Sequence, residues 1–203
     1  MHPASSIVAF TVLSGLGYGL AAVLGLGLLD PTAIATKAAH ISALALISAG
    51  LLSSTLHLGN PQRAWRAFSQ WRSSWLSREG VLSVLAFVPL TVSAWFCIIE
   101  GRYLAPIGLA GLLLSLATVF CTSMIYASLK SVQAWHTRLT SACYLLFALA
   151  GGALLGGAFG AAGGGSASLV LFFALVLLIA AWAAKIAWLR NLDGMARLST
   201  PES

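Results

Sequence analysis

Residues 104–127 read LAPIGLAGLLLSLATVFCTSMIYA, a continuous run without a charged residue. The run is longer than the roughly 20 apolar residues that an α-helix needs to cross the hydrocarbon core of a bilayer. Its apolar residues follow one another directly, whereas the strands of a transmembrane β-barrel alternate apolar and polar residues. This stretch therefore predicts a membrane-spanning helix.

The composition extends this interpretation to the whole chain. Of 203 residues, 59% are hydrophobic, and only 11 are basic and 5 acidic. So few charges cannot cover a soluble globule, which excludes a water-soluble enzyme and, despite the net charge of +6, a nucleic-acid-binding protein. We predict an all-α polytopic transmembrane helix bundle in which residues 1–203 form a single integral-membrane domain. Its six spans are Ser6–Leu28, Ile41–Leu56, Val81–Ile99, Leu104–Ala127, Leu139–Phe159 and Ser168–Leu189.

Ionisable residues are expected only near the ends of these spans. None of the six has Asp, Glu, Arg or His in its interior, and Lys185 lies near an end, where its amine can reach the interface. Transporters and channels usually carry ionisable residues or broken helices at mid-membrane, so that class is the weaker alternative. The first span is too long for a signal-peptide core and is expected to be retained.

The basic residues predict the orientation. With six spans, the N-terminus, residues 57–80, residues 128–138 and the C-terminal tail share one side. The other side has only Lys37 and Arg102, which Asp30 and Glu100 balance. The positive-inside rule places the first side in the cytoplasm, with both termini and the main loop. Its basic residues are Arg63, Arg66, Arg72, Arg78, Lys130, Arg138, Arg190 and Arg197, with Lys185 at the boundary.

Glycines in the fifth span predict close helix packing. Gly152, Gly156 and Gly160 recur at every fourth position, the small-residue spacing that lets helix backbones approach each other. A ligand lying against bare backbone is the alternative.

The cysteines and histidines do not have the spacing of a metal site. Three isolated cysteines lie in different spans, without a CxxC pair, and are expected to be small core residues: Cys97, Cys121 and Cys143. His40 and His57 lie at opposite ends of the predicted second span, about 25 Å apart, so they cannot hold one haem. A pair of His57 and His136 is conceivable, but both lie at span ends.

The loop of residues 57–80 is rich in Trp and Arg. Residues 57–66 read HLGNPQRAWR and residues 74–80 read SWLSREG. Trp65, Phe68, Trp71 and Trp75 follow the spacing of one helix face, which predicts an amphipathic helix in the membrane interface. If the chain is a purely structural anchor, this loop is a docking surface for a partner protein, formed by Arg66, Trp71, Arg72 and Trp75.

Two ionisable residues flank this loop at the same membrane level. His57 ends the second span and Glu79, the one acid of the loop, precedes the third. Histidine titrates near neutral pH, and a carboxylate beside it can orient it and shift its pKa. Tyr126 adds a phenol at similar depth. The three residues predict a proton-exchanging pocket for the head group of a lipophilic quinone.

At this loop the sequence resembles the DmsC family, the membrane-anchor subunits of dimethyl sulfoxide reductase and related respiratory molybdoenzymes. The resemblance rests on residues 54–64, STLHLGNPQRA, and on residues 74–79, SWLSRE. It is supported by residues 123–127, SMIYA, with Trp135 downstream, and by the opening HPAS at residues 2–5.

The resemblance implies a complex of three subunits in the prokaryotic inner membrane. A catalytic subunit holds molybdopterin, a ferredoxin-like subunit holds iron–sulfur clusters, and the anchor exchanges electrons with ubiquinone or menaquinone in the lipid without a metal of its own. The family's quinol-binding histidine and the acid of its second motif correspond to His57 and Glu79. Arg63 and Tyr126 are assigned to the same quinone-binding pocket.

Members of the family usually have eight spans, whereas six are predicted here, so the chain is either a shorter form or part of a longer one. The cytoplasmic docking side fits enzymes whose active site is cytoplasmic. Sulfite-oxidising quinone reductases are slightly favoured over reductases of S- or N-oxides.

Overall fold

The computed structural model describes residues 5–55, 61–163 and 166–194, without the side chains of residues 61, 63, 64, 67 and 193. Six helices in this part of the chain are long and apolar enough to cross a membrane, which confirms the predicted helical membrane bundle. They are α1 (Ser5–Leu24), α2 (Ile34–Thr55), α3 (Trp75–Trp95), α4 (Ala105–Ala127), α5 (Arg138–Gly163) and α6 (Ala167–Asp193). A π-helical turn, Phe96–Glu100, extends α3, and a 3-10 helix, Pro61–Phe68, lies in the Trp/Arg loop.

Five predicted helix boundaries are displaced by four residues or more; two of them are the ends of α5 and α6, at Gly163 and Asp193 instead of Phe159 and Leu189. Helix α1 ends at Leu24, before Gly27, whose left-handed φ of 65° breaks the helix. Helix α2 begins at Ile34, seven residues before the predicted start, so His40 lies inside it instead of at its end. Helix α3 begins at Trp75 because the Ser74 side chain accepts a hydrogen bond from the backbone N–H of Ser77.

The predicted amphipathic interfacial helix is also corrected. The chain forms a 3-10 helix only to Phe68, turns through residues 69–73, and then enters α3 at Trp75. Trp65, Trp71 and Trp75 therefore do not share one helix face. A 3-10 helix has three residues per turn, and it rarely continues for long because its hydrogen bonds are poorly aligned.

Helix α1 lies at the centre of the bundle. It packs against α2, α4 and α5, while α3 packs on α4 and α6 packs on α5. Gly19 of α1 and Gly152 of α5 let the two backbones meet, because a Cβ atom on either would overlap the other helix's backbone. The predicted close packing at Gly152 is thus confirmed. Its partner is α1.

The helix ends form two separate groups. Ser53 of α2 donates a hydrogen bond to the Ser6 carbonyl of α1 at the end that also holds residues 61–74 and 128–137, which we call the loop end. At the opposite end, Tyr103 donates to the Gly25 carbonyl at 2.6 Å, and the backbone N–H of Ser166 donates to the Leu28 carbonyl. Asp30 lies there too, and hydrogen bonds from Thr32 lower the pKa of its carboxyl.

Candidate functional site

Glu79 is buried inside the bundle near the loop end. It lies in the second turn of α3, about 6 Å along the axis from Trp75, and is only 6% exposed. The early start of α3 carries this carboxyl into the membrane-spanning part of the chain, where ionisable groups are rare and face the interior of the bundle. The sequence placed Glu79 before the span, and the structure places it within the helix.

Helix α4 presents hydroxyl groups to Glu79. Thr122 lies close to the carboxyl, and its hydroxyl donates at 3.1 Å to the Thr118 carbonyl of its own helix. Tyr126, one turn further along the same helix, also lies near Glu79. The Tyr126 ring stacks on Tyr144 of α5 with centroids 5.6 Å apart, and meets the edge of Trp135 at 5.3 Å. Helices α3 and α4 therefore meet at Glu79, and α5 joins them through the stack of Tyr144 on Tyr126.

Helix α1 completes this group from the centre of the bundle. Tyr18 is 2% exposed, and its hydroxyl lies close to Ser83 and Glu79 of α3. That hydroxyl is buried and has no hydrogen-bond partner among the described residues. Together the six side chains form what we call the Glu79 cluster: Tyr18, Glu79, Ser83, Thr122, Tyr126 and Tyr144.

An apolar cleft of about 530 Å³ lies beside the cluster. Helices α1, α4, α5 and α6 form its walls, and Thr122 and Tyr144 belong both to the cleft and to the cluster. Lys185 of α6 also lines it, with its amine 3.7 Å from the centre of the Trp188 ring. Most of the remaining lining is aliphatic or aromatic, including Leu16, Val119, Phe147, Leu154 and Leu178.

Arg78 fastens the Trp/Arg loop to the start of α3. Its guanidinium donates to the backbone carbonyls of Trp71 at 3.0 Å and Arg72 at 2.6 Å, and lies 4.3 Å from the centre of the Trp75 ring. The planar guanidinium suits this role because it can donate in two directions while stacking on an aromatic face. Arg78 thereby fixes the loop next to Glu79.

The predicted docking residues differ in how much of each side chain is exposed. Arg66, Trp71 and Arg72 are exposed, with Arg72 stacked over Trp71 at 5.5 Å. Trp75 is half-buried and packs edge-on against Phe120 of α4, so part of its ring is already covered within the chain.

Two of the four predicted quinone-binding residues come together in the structure. Glu79 and Tyr126 both belong to the cluster. His57 and the side chain of Arg63 lie outside the described residues, so the predicted role of each remains a prediction. His136 donates a hydrogen bond at 2.7 Å from its Nδ1–H to the Ala127 carbonyl, which ties the turn after α4 to that helix.

Sequence reasoning missed four members of the cluster. Ser83 and Thr122 each lie one helical turn from a residue that was predicted, Glu79 and Tyr126 respectively, so a search for polar residues at i and i+4 would have found them. Tyr18 and Tyr144 had no such local signal. They join the site only because α1 and α5 pack beside α4.

The fold and this site define the class: an integral-membrane helix bundle with a buried polar cluster and an apolar cleft near one end. The chain belongs to the DMSO reductase anchor subunit (DmsC) family, whose sequence profile matches residues 1–198. The family resemblance expected from residues 54–64 and 74–79 is thereby confirmed. The chain is a membrane-anchor subunit of this type.

Curated relatives agree with the family. The chain is 35% identical to a sulfite dehydrogenase subunit of Allochromatium vinosum, over 100% of this chain and 69% of that protein. It is 26% identical to anaerobic dimethyl sulfoxide reductase chain YnfH of Escherichia coli, over 75% of this chain and 56% of that one. It thus spans between about half and two thirds of these relatives' lengths. No solved structure matches the chain.

Proposed function

We propose that the chain is the quinone-reactive membrane anchor of a three-subunit molybdopterin oxidoreductase in the prokaryotic cytoplasmic membrane. A molybdopterin subunit would perform the substrate chemistry, and an iron–sulfur subunit would carry electrons between it and this anchor. The observation that carries the proposal is the buried Glu79 carboxyl, which faces hydroxyl groups beside an apolar cleft. The family and the named relatives support it.

The chemistry of quinone reduction fits these residues. A quinone takes up two electrons and two protons to become a quinol, so its site needs a group that delivers or accepts protons away from bulk water. A carboxyl can do both, and the Tyr126 hydroxyl can donate a hydrogen bond to a quinone oxygen. Glu79 would transfer the proton while Tyr126 holds the head group.

The cleft fits the rest of such a molecule. Pockets for small molecules usually measure about 300–1,000 Å³ and are mostly apolar with a few placed polar groups. This cleft, of about 530 Å³, has an apolar lining for an isoprenoid tail and meets the cluster at Thr122 and Tyr144. Either ubiquinone or menaquinone has the required combination of polar head and apolar tail.

Two further residues belong to the proposal through the family. His57 would be the second proton-exchanging group, and Arg63 would hold a quinone oxygen or orient His57. In the sequence both come shortly after Thr55, the last residue of α2. Replacing His57 with Ala should stop electron transfer to quinone and leave the three subunits assembled.

The exposed Trp/Arg loop is the proposed docking site for the iron–sulfur subunit. Arg66, Trp71 and Arg72 project from the end of the bundle that also holds the Glu79 cluster. Electrons arriving from a subunit docked there would enter next to the cluster. The positive-inside rule places this end in the cytoplasm.

Sulfite oxidation is the reaction that we favour for the complete enzyme. The relative with 35% identity is named as a sulfite dehydrogenase subunit, while the relatives named for dimethyl sulfoxide reduction are 26% and 28% identical. Oxidation of sulfite, with an oxygen atom from water, gives sulfate, two protons and two electrons, and a quinone would accept these two electrons.

The test compares Glu79→Gln with Glu100→Gln in the complex purified through a tag on this chain. Recovery of molybdenum and iron with the chain first tests whether the two partner subunits are bound to it. Glu79→Gln should then lower quinone-linked turnover about 100-fold, the effect of losing a positioned acid or base. Turnover with a soluble dye that takes electrons from the catalytic subunits should not change. Glu100 is the matched control, because it lies at the opposite end and pairs with Arg102.

The results separate this function from its alternatives. If Glu79→Gln leaves quinone-linked turnover unchanged, the cluster is not the quinone site. If the complex turns over with dye but never with quinone, the chain is a structural anchor. If the chain always purifies without metal or partners, it is not a subunit of such a complex and the proposal is wrong.

A further inference from the structure

His40 forms a second polar centre, far from the Glu79 cluster. It lies about 9 Å inside α2 from the opposite end of the bundle and is 9% exposed. Among the described residues no side chain or carbonyl forms a hydrogen bond with its ring. Polar side chains in such surroundings are nearly always hydrogen-bonded, to protein or to ordered water, so water is the partner that we expect for this ring.

Two small cavities border the His40 ring. Each has a volume of about 10 Å³, which is close to the least space that one water molecule needs. Both are lined by His40 and by Ser93 of α3. The cavities therefore lie where the ring lacks a partner, and each has room for a single water.

A second unpartnered group borders one of these cavities. Thr36, one turn before His40 on α2, is 3% exposed, and its hydroxyl is buried with no hydrogen-bond partner in the described part of the chain. Leaving a buried hydroxyl without a hydrogen-bond partner is unfavourable, and a bridging water would remove that cost. The Thr36 hydroxyl and the His40 ring line the same cavity, so both could bind one water there.

The surrounding groups connect this centre to the surface of the opposite end. Cys97, Arg102 and Tyr103 line the same cavity as Thr36, and the Arg102 side chain is exposed to solvent. The Cys97 thiol donates to the Pro31 carbonyl at 3.5 Å and lies near Lys37 and Asp30. Burial raises the pKa of Tyr103, so its hydroxyl stays protonated and donates to the Gly25 carbonyl.

We propose that His40, Thr36 and Ser93 bind two water molecules, through which the imidazole of His40 exchanges protons with the surface at the opposite end. One water bridges His40 and Thr36 in the cavity next to Arg102, and the other joins His40 to Ser93. A proton passes between the ring nitrogen and the adjacent water, and no other bond changes. The proposal does not depend on quinone binding at the Glu79 cluster.

The test measures hydrogen–deuterium exchange at the C2 position of each histidine by mass spectrometry, with the full chain in lipid nanodiscs in deuterated buffer. This exchange requires water at the ring, and its pH profile reports protonation of the imidazole. His40 should exchange with a pH-dependent rate, although it is buried. His136, whose ring lies in the turn at the loop end, serves as the internal reference.

Two threonine variants test the bridging water. Thr36→Val keeps the shape of the side chain but removes the hydroxyl, and should slow exchange at His40 several-fold. Thr91→Val is the matched control, because the Thr91 hydroxyl donates to the Phe87 carbonyl of its own helix. A His40 that does not exchange at any pH would overturn the proposal, as would equal His40 rates in both variants. The wild-type measurement alone is decisive if Thr36→Val does not fold.

Discussion

Buried hydroxyl groups in this bundle are of two kinds. Most donate to a carbonyl of their own helix, as Ser14 does to Phe10 at 2.6 Å. The hydroxyls of Tyr18, Thr36 and Ser115 are buried without a hydrogen-bond partner in the described part of the chain. Tyr18 lies in the Glu79 cluster and Thr36 beside His40, so two of the three mark the polar sites of the molecule. Unsatisfied groups are expected at such sites, where a ligand or water supplies the missing bond.

Ser115 differs from these two, because it is fully buried in α4 and borders neither polar site. Ser115→Ala should leave the free energy of unfolding unchanged or raise it by about 1 kcal/mol, since it removes an unsatisfied group. Ser14→Ala should lower it by about 1 kcal/mol, since a formed hydrogen bond is lost. Unfolding of the purified chain in detergent measures both changes. A Ser115→Ala variant as destabilised as Ser14→Ala would mean that Ser115 has a partner.

At the scale of single helices, the residue at which α3 begins determines whether Glu79 is buried. Because α3 begins at Trp75, Glu79 is carried inside the bundle to face Thr122 of α4. Arg78, the residue before Glu79, points outward and holds the Trp/Arg loop through hydrogen bonds to two of its backbone carbonyls. Neighbouring residues on one helix turn thus fix the buried acid and the exposed loop relative to each other.

The sequence predicted the six spans and the close packing at Gly152, because continuous apolar runs and small-residue spacing depend only on local pattern. The starts of α2 and α3 differ from the prediction because local pattern places ionisable residues such as His40 and Glu79 at the ends of spans. A buried ionisable side chain can lie within a span when neighbouring helices supply its surroundings, and these are invisible in one sequence. For the same reason Tyr18 and Tyr144 were missed.

The contact between α1 and α5 can be tested with two glycines one turn apart. A Cβ atom at Gly19 would overlap the Ala148 backbone, whereas one at Gly15 would lie 4.0 Å from the Ala148 Cβ, an ordinary contact. Gly19→Ala should therefore lower the free energy of unfolding by about 1–3 kcal/mol, the usual cost of overpacking. Gly15→Ala should be neutral or stabilising by up to about 1 kcal/mol, because Ala favours the helix. Equal effects of the two changes would contradict the close α1–α5 contact.

At the scale of the whole molecule, the two polar centres lie near opposite ends of one bundle. The loop end holds the Glu79 cluster, the exposed arginines and the Trp residues, and the opposite end holds His40 with its two small cavities. The predicted orientation assigns the loop end to the cytoplasm because most basic residues lie there. The docking of soluble partners at that end depends on this orientation.

Cysteine labelling tests the orientation directly. Ser73 at the loop end and Ser166 at the opposite end are both exposed, while the native Cys97 and Cys121 are buried. A membrane-impermeant maleimide should label Ser73→Cys only in inverted membrane vesicles and Ser166→Cys only in right-side-out vesicles. The reverse pattern would place the loop end outside the cytoplasm and remove the proposed docking side.

The most direct test of the quinone site is photolabelling of the purified complex with an azido-ubiquinone, followed by peptide mapping. We expect label on residues 119–126 of α4 and 143–147 of α5, which form the cluster and the wall of the cleft. Excess ubiquinone should suppress the label, and Glu79→Gln should weaken it. Competable label confined to the opposite end, around residues 25–33 and 101–104, would contradict a quinone site at the Glu79 cluster.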